Sequence, residues 1–221
     1  MNLKLLSIKL LRLLFFILLC LIQNQSCAPS ENAFYVECQT TQGSIDIVIE
    51  PDWSPKGAAR FLELVSNEFF IKVPLFRCVK NFLCQFGYVP DPMYSEFTKR
   101  YPTIKDDPKL EKNRYFKKGW ISFAGYGKNS RSFHLFITFG SNPNLGTLDH
   151  ETPIGYITRN SFATISEWYT NYGDMPPWGN GPDPYQIINS GQEYLNSKFP
   201  LLDYINSCVI KPSNSNATDA L

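Results

Sequence analysis

The feature that most narrows the fold is the spacing of apolar residues between Tyr35 and Phe86, which changes from a period of two to helical spacing and back. Ile45, Ile47 and Ile49 alternate within the run Ser44 to Glu50. A partner run, Tyr35 to Thr40, precedes it across Thr41-Gln42-Gly43, so the two read as a β-hairpin. Ser54-Pro55 then offers an N-cap and a first-turn proline. Ala58, Phe61, Leu62, Val65 and Phe69 recur at helical spacing, predicting a helix of about four turns. Two short apolar runs follow, Leu75 to Val79 and Leu83 to Phe86, around Lys80-Asn81-Phe82, where asparagine tolerates the backbone of a tight turn. Hairpin, helix, hairpin is an order suited to an antiparallel barrel plugged by helices, not to a parallel sheet.

The remainder continues this pattern. Pro90 to Lys118 carries Pro90, Pro92, Pro102 and Pro108 among mixed charges and reads as a long surface loop. Strands are expected at Trp120 to Ala124 and His134 to Phe139, flanking a polar loop from Gly125 to Ser132. Helical segments are expected around Phe162 to Tyr169 and Glu193 to Phe199, and a closing strand at Asp203 to Ile210. No internal repeat is present. An aromatic share of 15 %, with 17 Phe and 12 Tyr, fits a β-rich body with an aromatic core or pocket.

The ends differ from this body. Lys4, Lys9 and Arg12 precede an apolar run from Leu13 to Ile22, and polar or small residues follow from Gln23 to Ala28. That is the tripartite pattern of a signal peptide, predicted over residues 1–28, with an apolar run about half of what a bilayer crossing needs, an uncleaved anchor being the alternative. Residues 29–210 are the expected domain, and 211–221 a polar, flexible tail carrying the glycosylation acceptor Asn216-Ala217-Thr218. Removal of the leader leaves a secreted or secretory-lumen protein with no membrane segment. Lys+Arg of 21 against Asp+Glu of 20 gives no field that favours nucleic acid. Cys38, Cys78, Cys84 and Cys208 form an even set that permits two disulfides in an oxidising compartment, four buried thiols being the alternative. A turn centred on Asn81 sets Arg77 opposite Gln85 and Cys78 opposite Cys84, and places Arg77, Leu83 and Gln85 on one face. His134 and Phe136 share a face of the later strand. The result is a concave apolar site with a few placed polar groups.

The segment Leu75-Phe76-Arg77-Cys78-Val79-Lys80-Asn81-Phe82-Leu83-Cys84-Gln85-Phe86-Gly87 resembles the signature of the cyclophilin family of prolyl isomerases. A second block, Gly119 to Ala124 through Phe133 to Thr138, is similar to the family's other pocket strands. Asn144-Leu145 with Pro153-Ile154-Gly155 is similar to its next element. Tyr172-Gly173-Asp174, Gly179 to Pro182 and Phe199-Pro200 to Tyr204 resemble a divergent branch with an extended C-terminal third. The resemblance runs from about residue 34 to residue 210. It implies a mainly β fold, a closed eight-stranded antiparallel barrel capped by helices, and first and last strands that are neighbours, which would pair Cys38 with Cys208.

The resemblance also implies roles. Arg77 would donate to the prolyl nitrogen, Gln85 would fix the guanidinium, and Phe82, Leu83, Phe136 and Leu145 would hold the proline ring, with Ala124, Gly125 and His134 completing the substrate site. Three positions depart from the family's usual residues: Gly125 stands for Asn, His134 for Gln, and Asn144 for a rim Trp. No cofactor is implied, and His134 and His150, without a carboxylate cluster, give no metal site. Gly127 and Gly179 to Gly181 lack a phosphate-loop context, and Ser122, Ser130 and Ser132 lack triad partners. Two functions stand: a monomeric isomerase acting on proline-containing polypeptides, or a catalytically weak or inactive module that binds them.

Overall fold

The computed structural model of the chain describes residues 29–108 and 115–212, so the predicted leader and Asn216 lie outside the described residues. The first hairpin pairs β1 (Phe34–Thr40) with β2 (Gly43–Ile49) in register from Phe34↔Ile49 to Thr40↔Gly43. Its inward residues, among them Val36, Cys38, Ile45 and Ile47, enter the main core. Helix α1 (Pro55–Ser66) turns Ala58, Phe61, Leu64 and Val65 onto the same core. It is shorter than its apolar spacing predicts. Asn67 caps it, Glu68 adopts a positive φ of 56°, and Phe69 lies past the end yet stays buried against Phe70 at 5.0 Å.

The N-terminus of α1 is held differently from expectation. Ser54 donates its hydroxyl to Asp107 rather than accepting from the helix, and the Asp107 carboxylate takes the N–H groups of Lys56 (3.1 Å) and Gly57 (2.9 Å). Arg131, wholly buried, completes the pair with Asp107 at 3.1 Å. Burial alone would raise the Asp107 carboxyl, but hydrogen bonds from Ser54, Gly57 and Lys56, with Arg131, outweigh it and hold the group below its usual range.

The segment from Pro90 to Lys118 is therefore no simple surface loop. It contains helix α2 (Met93–Arg100), and Tyr101, Asp107 and Phe116 are buried. Asp106 and Asn129 exchange two hydrogen bonds at 2.8 Å each, tying this segment to the loop that carries Gly125 to Ser132.

The remaining strands are β3 (Val73–Pro74), β4 (Arg77–Val79), β5 (Leu83–Phe86), β6 (Trp120–Phe123), β7 (Leu135–Thr138), β8 (Gly155–Ile157) and β9 (Tyr204–Lys211). They form one curled antiparallel sheet in the order β3-β9-β1-β2-β8-β6-β7-β5-β4. In place of the expected closed barrel of eight strands, the described residues form a sheet of nine strands, open between its edges. Those edges, β3 and β4, are consecutive in the chain, with Leu75 and Phe76 between them, so covalent continuity rather than a ladder spans the gap. β9 extends to Lys211, which pairs with Glu37 at 2.7 Å, one residue beyond the predicted domain limit.

Among the described residues two disulfides lock registered pairs. Cys38–Cys208 joins β1 to β9, and Cys78–Cys84 joins β4 to β5, each with Cα atoms 4.0 Å apart. The C-terminal third adds α3 (Phe162–Ser166) and α4 (Pro184–Lys198), the latter kinked where Gly191 takes a positive φ of 55°. α4 builds a second apolar cluster of Phe76, Ile187, Leu195, Phe199 and Leu202. Among the described residues no helix is long and apolar enough to cross a membrane.

Candidate active site

Three adjacent strands carry the site. In β4 and β5, Arg77 lies opposite Gln85 and Cys78 opposite Cys84. The period of two therefore sends the cysteines into the main core and leaves Arg77, Leu83 and Gln85 on the other face. Asn81 makes the turn with a positive φ of 61°. β7 continues the surface: Phe136 is registered with Gln85 on one side and with Ser122 of β6 on the other. Ala124 extends β6 by donating to the carbonyl of His134 at 2.8 Å.

These elements enclose a cavity of about 450 Å³. All nine residues assigned to catalysis or substrate binding from the sequence line it: Arg77, Phe82, Leu83, Gln85, Ala124, Gly125, His134, Phe136 and Leu145. Arg77 donates from Nη1 to Gln85 Oε1 (3.1 Å), and its guanidinium lies over the Phe82 ring at 5.8 Å. Phe136 is buried and backed by Phe116 at 5.5 Å. His134 packs between Tyr88 (4.3 Å) and Phe133 (4.4 Å), and its Nε2 is buried without a protein group in hydrogen-bond reach. Burial holds its pKa down at about 4, so the ring is neutral at pH 7 and brings no charge to the wall.

The cavity also has walls that sequence reasoning missed. Tyr88, Tyr126, His150 and Met175 line it, and Asp174 takes Arg77 from outside. Asp174 accepts from Nε at 2.7 Å and from Nη2 at 3.1 Å. Tyr172-Gly173-Asp174 was visible as a conspicuous tripeptide, but nothing in a single sequence brings residue 174 against residue 77.

A sequence model of the family described as "Cyclophilin type peptidyl-prolyl cis-trans isomerase/CLD" matches residues 35–177. This chain belongs to the cyclophilin-type peptidyl-prolyl cis-trans isomerase family. Among curated proteins, this cyclophilin is 31% identical over 121 residues to peptidyl-prolyl cis-trans isomerase-like 3 of Neurospora crassa, covering 52% of this chain and 71% of that protein. It is 29% identical over 114 residues to peptidyl-prolyl cis-trans isomerase cypE of Dictyostelium discoideum, covering 49% and 69%. Against isomerase-like 2 of Neurospora crassa the identity is 29% over 115 residues, covering 49% of this chain and only 18% of that longer protein. Among solved structures, a cyclophilin-type isomerase of Cryptosporidium parvum superposes with a TM-score of 0.57 at 20% identity, covering 82% of this chain and 99% of that one. That likeness establishes the fold.

Two departures from the family pattern now have a physical setting. A side chain at Gly125 would begin with a Cβ 2.7 Å from Ser130 Oγ and 2.9 Å from His150 Cδ2, so this cyclophilin has packed a histidine and a serine where a larger residue at 125 would need room. Asn144 is exposed and does not line the cavity. The rim there is left to Leu145, while Met175 closes another part of the wall.

Proposed function

We propose that this cyclophilin catalyses rotation about X-Pro peptide bonds, and that its clients are proline-containing polypeptides of the secretory pathway. The observation that carries the reading is Arg77 on the wall of a mostly apolar cavity, beside Phe82, Leu83 and Phe136. Its guanidinium has five N–H donors. Three are engaged, two by Asp174 and one by Gln85, and one on each of Nη1 and Nη2 remains for a ligand.

That residue suits the reaction. The amide barrier of about 18–20 kcal/mol comes from conjugation of the nitrogen lone pair. As the bond twists, the lone pair is released and can accept a hydrogen bond. A donor fixed beside the prolyl nitrogen therefore binds the transition state better than the ground state. Phe82, Leu83, Phe136 and Leu145 offer the ring apolar contact in both states. The secretory setting is supported by the leader pattern of residues 1–28 and by two disulfides, which persist in oxidising compartments.

The test is a protease-coupled isomerisation assay on an X-Pro peptide. Arg77→Ala is expected to lower kcat/KM by about two orders of magnitude, about 2.7 kcal/mol, with the fold intact. Phe136→Ala should raise KM instead. A wild-type protein that binds proline peptides without accelerating isomerisation would favour a binding module; an Arg77→Ala variant as active as wild type would remove the site assignment.

A further inference from the structure

We propose that Asp174 is a positioning residue for isomerisation, fixing the Arg77 guanidinium from the side opposite to Gln85; this rests on the isomerase reading above. Gln85 alone makes one bond to Nη1, at 3.1 Å, and a single bond leaves a guanidinium free to swing about it. Asp174 supplies the other restraint as a two-point contact, Nε to Oδ1 at 2.7 Å and Nη2 to Oδ2 at 3.1 Å. Fork-to-fork pairing of this kind fixes the plane as well as the position of the group. With both partners in place, the unengaged N–H groups on Nη1 and Nη2 have one direction.

Asp174 is itself built in rather than loosely presented. Its Oδ1 also accepts from the Met175 N–H at 2.8 Å, and its carbonyl accepts from Gly181 N at 2.8 Å. Gly179 and Gly181 lie so close to that carbonyl that neither has space for a side chain. The loop and the arginine strand are moored to the same place. Phe76, directly before Arg77, belongs to the cluster of α4, and Tyr172 and Met175 pack on that cluster from either side of Asp174. The spacing between residues 77 and 174 is thus set by shared packing and not by the ion pair alone. Both side chains keep modest exposure, 17% for Arg77 and 23% for Asp174.

A carboxylate also offsets the cation, which would slow a reaction helped by positive charge. Orientation dominates here because the acceptor is a single lone pair that appears only in the twisted amide, and displacement of a catalytic group by about 1 Å costs up to about a hundredfold. Asp174→Asn keeps the shape and one acceptor oxygen but presents an NH₂ to a guanidinium N–H. It is expected to lower kcat about tenfold with KM within about twofold, since the apolar contacts of the proline ring are untouched. Asp174→Glu, which keeps the carboxylate, should retain more of the rate.

The second readout is the Arg77 Nε–H resonance by ¹H–¹⁵N NMR, expected to be sharp and slowly exchanging in the wild type and in Asp174→Glu, and exchange-broadened in Asp174→Asn. A kcat for Asp174→Asn equal to or above wild type, or a rise in KM alone, would overturn the positioning role. If the wild type shows no turnover, the isomerase reading falls separately. The resonance then decides: protection lost in Asp174→Asn supports the restraint, and an unchanged signal refutes it.

Discussion

His134 gives this protein an acid sensitivity whose size follows from its surroundings. Its Nε2 is buried between aromatic rings, and burial lowers the imidazole pKa from 6.5 to about 4. A base with a depressed folded pKa contributes stability in its neutral form. The contribution is fully present above about pH 6.5 and is lost as the pH falls from there toward about 4, because the unfolded chain takes up the proton first. A tenfold change in proton affinity is worth about 1.4 kcal/mol, so the full span is about 3 kcal/mol, most of it lost by about pH 4.5. His134→Gln removes the titration while filling similar space. Urea unfolding of both proteins at about pH 7 and about pH 4.5 isolates the effect, since carboxylates such as Asp107 titrate in both. The wild type should lose about 2 to 3 kcal/mol more than the variant over that interval. Equal losses, or a titration near pH 6.5 assigned to the His134 imidazole, would refute the reasoning.

Other outcomes are as definite. The Cys38–Cys208 bridge spans 170 residues and Cys78–Cys84 only 6. On the chain-entropy account their removal costs about 5 and about 2 kcal/mol, so a Cys38→Ser/Cys208→Ser protein should melt well below Cys78→Ser/Cys84→Ser by calorimetry; equal melting points would contradict it. Gly125→Asn should destabilise the fold by about 1–3 kcal/mol and raise KM for an X-Pro peptide, because the new Cβ meets Ser130 and His150. Wild-type stability and KM in that variant would show that the loop yields freely. N-terminal sequencing of secreted material should begin between about Asn24 and Pro29, whereas a start at Met1 would rule out the leader.

The parts legible in the sequence are those where local chemistry and long-range structure agree. The hairpin around Asn81 shows this well: a turn residue, a two-residue period and short runs are enough to place Arg77 opposite Gln85. The helix from Ser54 was legible in its apolar face but not in its end, because Phe69 keeps the burial period after the backbone has left the helix. Pro90 to Lys118 misled because proline and charge usually mark exposed chain. Here Asp107 is charged and buried, stabilised by Ser54, two backbone amides and Arg131, all distant in sequence or unmarked as partners. β3 and β8, at two and three residues, are too short to show any periodicity. Asp174 was unreadable for a related reason: its partner lies 97 residues earlier, and only the packing of Phe76, Tyr172 and Met175 brings them together.

The place of β9 in the sheet also bears on how the molecule is made. Its register with β1 is the longest-range pairing in the fold, and the Cys38–Cys208 bond sits in the middle of it. At about 5–20 residues added per second, the ribosome needs about 10–30 s between the two cysteines. Throughout that interval the outer edge of β1 has no partner, and the outer edge of β2 also waits for β8, while the hairpin that holds Arg77 and Gln85 can already exist. Synthesis therefore delivers the reactive face first and the strand that seals its scaffold last. The nascent chain spends those seconds with an exposed β edge, the feature that chaperones and neighbouring chains bind.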